Sequence, residues 1–331
     1  MTHQNDNDYV KLQQYLDRLG LGWPQDSEGK DIRVLKQLYT LEDAKIIPKM
    51  IDDFKSAAEF ARMAGMNPAE AEEKLYEMST RGVIFRQKIE GVNKYRPVPL
   101  FHGTYEFNIH TPKITEEFLT DFFGNLGSEG FSKALQTPTP FFRTIPIKRS
   151  LVVEDAVVAN YDDLEKILNN NNSFALCTCA CRQNRRIRGV EVCDHPLETC
   201  LVLGSFAEYA IENKMGRRVT RDEAYKTMVS GFSDGRCISV INSKEVECVC
   251  SCCECGCDVI KIRKALGEKG QHWSNYVATR IEEKCEDCGN CVDVCPVQAI
   301  SYIDDALILD SKICIRSEEH TSELQSLLII S

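Results

Sequence analysis

The sequence from residue 285 to residue 296 reads Cys285-Glu-Asp-Cys288-Gly-Asn-Cys291-Val-Asp-Val-Cys295-Pro296. Its four cysteines follow the spacing C-x2-C-x2-C-x3-C, and a proline comes directly after the last of them. Cysteines with this spacing hold a [4Fe–4S] cluster, the first three from one tight loop and the fourth on a neighbouring cluster. The glycine between the second and third cysteines lets the loop fold closely around inorganic sulfide. A zinc knuckle or disulfides are the alternatives, and the spacing with its proline favours the iron–sulfur cluster.

A second run of cysteines is expected after a short hairpin, because a two-cluster domain repeats the motif. The segment from Ala306 to Lys312 leads to Cys314, where that run should begin, and no second Cys-Pro pair follows. Residues 316–326 instead resemble a translated sequencing adapter, and we expect residues 316–331 to be a non-native tail rather than a natural C-terminal helix. We expect two clusters in the intact domain, with Cys295 and Cys314 on the second, and incomplete ligand sets in the chain as written.

The composition indicates a reducing, intracellular environment. The chain has 17 cysteines in 331 residues, an odd number, and its first residues are polar and lack the apolar core of a signal peptide. Thiols that hold metal fit this pattern better than a disulfide framework, so we expect a cytoplasmic protein of a low-oxygen setting. No run of about 18 apolar residues occurs, so no membrane span is expected. The net charge of -10 disfavours a nucleic-acid-binding protein and suits a soluble redox protein that docks on a partner.

The first 110 residues contain no cysteine, and their second half has the pattern of a winged helix. Between Ile51 and Leu100 the pattern predicts a helix that ends at Gly65 and a second helix that Asn67 caps. Two strands follow, and the turn near Gly91 between them would be the wing.

The charges of this segment disfavour the usual DNA-binding role of a winged helix. The second helix, which would face the DNA, carries Glu70, Glu72, Glu73 and Glu77 against a single lysine. Acidic side chains repel phosphates and make none of the arginine or asparagine contacts that read bases. The wing has the opposite character, with the basic residues Arg81, Arg86, Lys88, Lys94 and Arg96. We therefore expect a protein-docking or structural role, with weak and non-selective DNA binding at most.

Residues 111–176 carry no recognisable chemistry. Their pattern predicts helices at 116–123, 131–135 and 161–168, and two strands between residues 151 and 158. The phenylalanines and prolines of this segment are interpreted as core and turn residues.

The middle of the chain holds an unusual set of cysteines. Cys177, Cys179 and Cys181 follow a strand-like segment at every second position; if that segment stays extended, their thiols share one face about 6–7 Å apart. If extended, the run from Cys248 to Cys257 would likewise present three thiols on each face, but a helix that begins at about Asp258 would break that regularity. The candidate ligands of a second metal centre are Cys177, Cys179, Cys181, Cys193, Cys200, Cys248, Cys250, Cys252, Cys253, Cys255 and Cys257.

Thiolates alone select zinc, copper(I) or iron–sulfur clusters. The neighbouring C-terminal motif favours a further iron–sulfur cluster; zinc and unmetallated thiols are the alternatives. The basic run Arg182, Arg185, Arg186 and Arg188 either stabilises a negative cluster, holds an anionic partner or forms a solvated loop. His195, which precedes a proline in a predicted turn, is interpreted as incidental.

Four motifs precede the C-terminal run in a fixed order. They are Cys-Thr-Cys-x-Cys-Arg at 177–182, Cys-Asp-x-Pro-Leu-Glu-Thr-Cys at 193–200, Gly216-Arg217-Arg218 with Glu223-Ala224, and Cys-Ser-Cys-Cys-x-Cys at 250–255. With these motifs the chain resembles 4Fe–4S-binding, ferredoxin-type proteins of anaerobic bacteria and archaea. The resemblance implies a winged-helix-like N-terminus and iron–sulfur electron transfer, and it implies no particular substrate. The sequence departs from the family pattern at Cys314.

The expected fold class is α+β, in four segments. We expect a helical, winged-helix-like domain at 1–110, a Cys-rich mixed α/β domain at 111–280, a truncated 4Fe–4S bacterial-ferredoxin domain at 281–315 and a non-native tail at 316–331. The expected function is iron–sulfur electron transfer as a carrier or oxidoreductase subunit that serves a redox partner protein. It would use [4Fe–4S] clusters at the C-terminus and a further iron–sulfur cluster or zinc in the middle domain.

Two other function classes stay open. The first is a redox-sensing transcriptional regulator that uses the winged helix, and the second is a catalytic oxidoreductase with its chemistry at the middle cysteines. No G-x-G-x-x-G fingerprint or P-loop occurs, so no nucleotide or flavin site of those kinds is expected. We expect no membrane partner and no DNA partner.

Overall fold

A computed structural model describes most of the chain. The described residues are 2–127, 140–145, 162–190, 193–231, 235–266, 272–274, 278–279, 285–293, 295–304, 306–315 and 329–330. The chain divides into two compact units, each with its own core. The first unit contains Met1–Leu135 and Tyr209–Met215, and the second contains Gln136–Glu208 and Gly216–Ser331. This division is coarser than the four segments expected from the sequence, whose boundaries stay predictions.

The described part of the first unit is mainly helical. Its helices are α1 (Thr2–Leu16), α2 (Lys30–Leu38), α3 (Leu41–Ile46), α4 (Ala57–Ala64), α5 (Pro68–Thr80), α6 (Tyr105–Asn108) and α7 (Glu116–Leu126), with a 3-10 turn at Ile47–Lys49 and a π turn at Leu100–Thr104. Its strands are β1 (Lys55–Ser56), β2 (Ile84–Ile89) and β3 (Val92–Pro97), which form an antiparallel sheet in the order β1-β3-β2.

Local signals in the sequence explain why α4 and α5 begin and end where they do. Ser56 caps α4 and forms a reciprocal capping box with Glu59, and Gly65 ends the helix in the left-handed region. Asn67 caps α5 by accepting hydrogen bonds from two backbone N–H groups of its first turn. The buried residues of α5 include Ala71, Leu75 and Met78, as its apolar stripe predicts. Two helices followed by a hairpin therefore occupy the segment where the sequence predicts a winged helix.

A late segment of the chain completes the core of the first unit. The Tyr209 hydroxyl lies 2.7 Å from the Ser79 carbonyl oxygen and 2.8 Å from that of Ile84. Its ring packs against Phe85 at a centroid distance of 4.8 Å. The segment from Tyr209 to Met215 thus supplies core contacts that residues 1–135 cannot make by themselves.

The second unit is built on a seven-stranded sheet. Its strands are β4 (Phe142–Thr144), β5 (Phe174–Thr178), β6 (Glu198–Leu203), β7 (Gly216–Arg218), β8 (Cys237–Ile241), β9 (Cys248–Cys252) and β10 (His272–Trp273). They lie in the order β10-β4-β8-β9-β6-β5-β7, and all pairs except the parallel β10–β4 pair are antiparallel.

Along the chain, helices and smaller sheets lie between and after the strands of the central sheet. The described helices are α8 (Leu164–Asn169), α9 (Ala180–Arg188), α10 (Gly204–Glu212), α11 (Arg221–Val229), α12 (Asp258–Leu266) and α13 (Asn290–Asp293). The remaining strands are β11 (Ala278–Thr279), which pairs with β14 (Ile329–Ile330), and the hairpin of β12 (Ile300–Ile303) and β13 (Ala306–Leu309).

The central sheet separates apolar side chains from thiols by strand periodicity. Leu176, Leu201, Val249 and Val240 are neighbours across β5, β6, β9 and β8, and all four belong to one buried apolar cluster with residues of α8 and α11. Side chains one position further along each strand point to the other face. The alternation of cysteine with apolar residues thus gives the sheet a core face and a thiol face.

The extended backbone on which both cysteine patterns depend is present only in part. The strand that carries Cys177 ends at Thr178, and Cys179 is the residue that precedes helix α9. The reason is the Arg-rich segment that follows, which forms a helix whose buried arginines find partners in the second unit. Residues 253–257 form a turn closed by the Cys257 N–H to the Cys253 carbonyl oxygen at 3.0 Å, because α12 begins at Asp258. Of the two cysteine runs, only the part on β9 therefore has cysteines at every second position of a strand.

Other sequence expectations have mixed outcomes. The predicted helix at 116–123 is α7, which belongs to the first unit, and the predicted helix at 161–168 begins at Leu164. The predicted helix at 131–135 and the predicted strands between residues 151 and 158 lie outside the described residues, as does most of the tail at 316–331. No helix in the described ranges is both long enough and apolar enough to cross a membrane.

Candidate metal centres

Cys285 and Cys288 lie on a loop that leads into the short helix α13, Cys291 lies in that helix, and Cys295 follows it. Gly289 has a φ of +77°, a conformation that a glycine adopts without cost, and it turns the chain between Cys288 and Cys291. Cys288 is exposed, Cys285 is half-buried and Cys291 is buried. Burial raises the pKa of the Cys291 thiol, and the charges of Cys285 and Cys288 add to that effect. The three thiols are thus near enough to influence one another electrostatically.

Backbone N–H groups already point at two of the four sulfurs. The Asp287 N–H donates to Cys285 Sγ at 3.4 Å, and the Ala299 N–H donates to Cys295 Sγ at 3.1 Å. Hydrogen bonds of this kind stabilise thiolate ligands and tune the potential of the cluster that they hold. The Tyr302 hydroxyl on β12 donates to the Asp287 carbonyl oxygen at 3.1 Å and so ties the loop to the hairpin. The donor set and its hydrogen bonds fit an iron–sulfur cluster.

The C-terminal cysteines and the end of the middle block share one buried cluster. Cys291 and Cys295 are members of it together with Cys252 and Cys257, and Cys314 packs against it at its edge. Arg263 of α12 donates to the carbonyl oxygen of Lys312 at 2.7 Å, which fixes the backbone just before Cys314. The sheet, α12 and the C-terminal loop therefore surround a common sulfur-rich core in the second unit.

On the thiol face of the sheet, a row of cysteines crosses three neighbouring strands. Cys177 of β5 is paired with Cys200 of β6, and Cys200 is paired with Cys250 of β9. Directly paired residues point to the same face of a sheet. Cys200 Sγ lies 3.9 Å from Cys248 Sγ, which in turn lies 4.0 Å from Cys250 Sγ. The structure therefore brings four of the predicted ligands together.

This thiol row has a strongly perturbed member. Hydrogen bonds from Cys248 and Cys250 lower the pKa of Cys200 to about 6, against the effect of its burial. Burial, with a contribution from the charge of Glu198, raises the pKa of Cys177 to about 12. Close thiols that share protons in this way form a site where a metal can replace those protons.

A second group joins the start of α9 to the end of β9. Cys179 and Cys181 interact with each other by a hydrogen bond, and Cys181 does the same with Cys257. Cys257 is in turn hydrogen-bonded to Cys252. The four thiols come from a helix N-terminus, a strand and a turn, so the fold rather than local sequence brings them together.

A third group contains Cys193, Cys253 and Cys255. Their three sulfurs all lie within 4.8 Å of one another. Among the described residues, this is the one group of at least three Cys, His, Asp or Glu ligand atoms that meets so closely. All eleven predicted middle ligands therefore lie in one of three sulfur groups, while their role as metal ligands stays a prediction.

The structure also points to residues that the sequence did not single out as parts of the site. Cys237 of β8 is paired with Cys252 and is buried in the same sulfur-rich cluster. It stands alone in the sequence, so strand pairing was the signal needed to find it. Gly216 of β7 lies opposite Cys177, and a Cβ there would be 2.6 Å from Cys177 Sγ.

The basic run after Cys181 is helical and divides by burial. Arg182 and Arg185 are buried, and Arg185 forms an ion pair with Asp258 at 2.8 Å. Arg186 is exposed and Arg188 is partly exposed. Arg182 donates its Nε–H to Cys253 Sγ at 3.3 Å. The backbone N–H of His195 donates to Cys193, so His195 has a local role at a cysteine through its main chain.

Comparison with known proteins identifies one domain of the chain. Residues 278–301 match the family model for the 4Fe-4S binding domain, which spans the four-cysteine motif and strand β12 up to Ser301. No curated protein and no solved structure matches the chain significantly. The matched segment and the Cys-rich middle block support an iron–sulfur protein of mixed helix and sheet, with a 4Fe-4S binding domain near its C-terminus.

Proposed function

We propose that this protein transfers electrons through iron–sulfur clusters and serves a partner oxidoreductase. The observation that carries the proposal is the match of residues 278–301 to the 4Fe-4S binding domain, on a loop whose sulfurs accept backbone hydrogen bonds. A bound [4Fe–4S] cluster supplies one-electron transfer. Cys285, Cys288 and Cys291 would hold one cluster, while Cys295 and Cys314 would be ligands of a second.

The chain's own residues prepare this site for a metal cluster. Burial of Cys291 and Cys295 excludes water from one side of the site, and two backbone N–H groups donate hydrogen bonds to the sulfurs of Cys285 and Cys295. The exposed Cys288 leaves the other side open toward solvent. A redox site that is half-covered can exchange electrons with a docked partner while it remains anchored in the protein.

The middle cysteines extend the proposal to a further centre. The thiol row and the group formed by Cys179, Cys181, Cys252 and Cys257 supply more sulfur ligands than one ion needs, which favours an additional iron–sulfur cluster. Cys252 and Cys257 share a buried cluster with Cys291 and Cys295. This proximity supports electron exchange between the middle centre and the C-terminal domain.

The docking side of the proposed carrier is the hairpin beside the loop. Tyr302, Ile303 and Ile308 are 41%, 56% and 42% exposed, an apolar group at the edge of the cluster loop. Apolar and aromatic side chains of this kind are typical of transient redox docking surfaces. We propose a protein partner at this hairpin, within a low-oxygen cytoplasm.

The test is anaerobic reconstitution of the full chain with iron and sulfide, followed by metal analysis and EPR of the reduced protein. In Cys288→Ser we expect loss of about four irons per chain and of the corresponding signal, because an exposed ligand is removed. Glu286→Ser changes an exposed neighbour in the same loop and should keep both. Equal iron, sulfide and EPR signals in wild type and Cys288→Ser would overturn the C-terminal site.

A redox-sensing regulator is the alternative, and it draws on the helix–helix–hairpin segment of the first unit. The charges speak against it, since Glu70, Glu72, Glu73 and Glu77 are exposed on α5. The arginines of the hairpin region already contact other side chains of the protein. Arg86, for example, binds Glu212 at 2.8 Å and lies over the Tyr76 ring. These contacts favour a docking or structural role for this segment.

A further inference from the structure

We propose that Cys193, Cys253 and Cys255 form a separate site for a single zinc-type ion, distinct from the iron–sulfur centres. The inference deepens the proposed use of the middle cysteines and does not depend on the C-terminal cluster. It rests on three independent features of the site: the spacing of its sulfurs, the buried guanidinium beside them, and a glycine that makes room for both.

The sulfur spacing suits one ion. Zinc–thiolate bonds are about 2.3 Å long, so two thiolates on one tetrahedral ion stand about 3.8 Å apart. The three sulfurs lie within 4.8 Å of one another. Small rotations of the cysteine side chains therefore suffice to place all three on one ion.

The same spacing disfavours a cubane cluster at this position. Each cysteine of a [4Fe–4S] site binds a different iron, and the thiolates approach the cube from different corners. Their sulfurs must consequently stand further apart than thiolates that share one ion. The C-terminal cysteines do not form a group within 4.8 Å among the described residues, whereas these three do.

A buried guanidinium fixes the two chain segments that carry the ligands. Arg182 is 3% exposed and donates to Cys253 Sγ at 3.3 Å. Its Nη1 donates to the Pro196 carbonyl oxygen at 2.7 Å and to Thr199 Oγ1 at 2.5 Å. Its Nη2 donates to the Ser251 carbonyl oxygen at 2.6 Å. Arg182 thereby holds the loop of Cys193 against the end of the strand that leads to Cys253.

The charge of this site balances for zinc. Three thiolates and one divalent ion carry a net charge of about −1, and the guanidinium of Arg182 offsets it. Copper(I) on the same thiolates would leave one negative charge that Arg182 does not offset. The Nε–H of Arg182 donates to Cys253 Sγ, and a hydrogen bond of this kind orients a ligand around a metal.

Gly256 allows the turn to approach the other two elements. A Cβ at this position would lie 2.9 Å from Arg182 Cγ, 3.2 Å from Cys253 Sγ and 3.5 Å from Cys193 Sγ. The turn of Cys253, Cys255 and Gly256 therefore wraps around the sulfur group at a distance that only glycine permits. Such a close approach indicates a built site rather than an accidental meeting of thiols.

The fourth coordination position is open to a small external ligand. No fourth Cys, His, Asp or Glu ligand atom of the described residues joins the three sulfurs within 4.8 Å. Zinc with three protein ligands keeps a water or another small molecule in the fourth position. We assign this site a bound water as its fourth donor.

The experiment uses the full chain, reconstituted anaerobically with iron and sulfide and then loaded with zinc(II). We expect one zinc per chain, with an X-ray absorption spectrum that shows three sulfurs at about 2.3 Å and one lighter atom. Cobalt(II) in place of zinc should give thiolate charge-transfer bands. Absence of a stoichiometric zinc, uptake of copper only, or a spectrum with four sulfurs would overturn the proposal.

Matched variants separate this site from the iron–sulfur centres. Cys255→Ser should weaken zinc binding by more than about 100-fold in a chelator competition, since loss of a ligand exceeds loss of an outer contact, while iron and sulfide stay unchanged. Cys288→Ser should lower iron and leave zinc. If iron falls together with zinc in Cys255→Ser, the three cysteines serve a cluster and the proposal fails. If Cys288→Ser keeps its iron while Cys255→Ser loses zinc, the proposed C-terminal cluster fails and the zinc site stands.

Discussion

Arg182 illustrates how one residue connects several cysteines of the middle block. Its guanidinium reaches Cys253, the loop at Pro196 and the end of β9 in a single planar fork. Despite burial, which disfavours the charge, the nearby Cys179 and Cys253 raise the pKa of Arg182. The sequence predicted a basic run beside thiols, but not that one arginine of that run would be buried among them. Burial is decided by packing of a helix on a distant strand, which spacing along the chain does not contain.

Replacing this arginine tests its role as a positioning residue. In Arg182→Ala we expect the free energy of unfolding to fall by about 3 kcal/mol, because buried acceptors lose a charged donor. Zinc affinity should fall about 10–100-fold as the ligands lose their orientation. Arg182→Lys keeps the charge but lacks the planar guanidinium. Its stability and zinc affinity should lie between those of wild type and Arg182→Ala. Chemical denaturation and chelator competition measure both effects, and a Lys variant equal to wild type in both would contradict the geometric role.

At the scale of elements, the alternation of side chains along a strand positions some cysteines of the site, and the start of a helix positions others. The run Cys248, Cys250 and Cys252 lies on a strand, so its alternation correctly predicted thiols on one face. The similar run from Cys177 to Cys181 ends its strand after one cysteine, because α9 begins at Ala180. An identical spacing can therefore lie on a strand or across a strand–helix junction. Which of these two structures forms depends on the residues that the flanking side chains pack against.

Close packing at β7 gives a prediction for the thiol row. A Cβ at position 216 would lie 2.6 Å from Cys177 Sγ and 2.8 Å from the Leu176 carbonyl oxygen. Gly216→Ala should therefore displace Cys177 and lower the free energy of unfolding by about 1–3 kcal/mol. It should also lower the iron or zinc bound by the middle block.

Gly127→Ala is the matched control for that change, since its Cβ would meet its nearest atom, the Phe123 carbonyl oxygen, at 3.4 Å. Thermal unfolding and metal analysis compare the two variants. Equal stability and metal content in Gly216→Ala and wild type would show that the strand edge adapts without moving the thiol.

For the whole molecule, the sequence predicted the mixed α+β class of fold, and the structure contains both helices and sheets. The C-terminal motif indicated a 4Fe-4S binding domain, which the family match supports, because metal ligation demands a fixed local spacing. The association of α7 with the N-terminal helices was not predicted. It depends on contacts such as the stacking of Trp23 on Phe122 at 5.4 Å and the Arg33–Asp121 ion pair at 2.6 Å. Contacts between positions about a hundred residues apart leave no periodic trace in a sequence.

The charge distribution predicts that the full chain binds DNA weakly and without sequence preference. The exposed acidic residues of α5 repel phosphates, and the net charge of the chain is -10. Mobility-shift titrations at several salt concentrations, on the metal-loaded chain, should give dissociation constants no tighter than about 1–100 μM. Tight, sequence-selective binding that depends on cluster oxidation would instead support the regulator.

Tyr209 has a consequence for the order of events during synthesis on the ribosome. Its hydroxyl contacts the carbonyl oxygens of Ser79 and Ile84, so the first unit acquires this part of its core only after much of the second unit's sequence has emerged. A nascent chain that stops before residue 209 lacks a buried tyrosine and the partner of Arg86, Glu212. The core of the first unit can therefore be completed only after residues 209–215 have been synthesised.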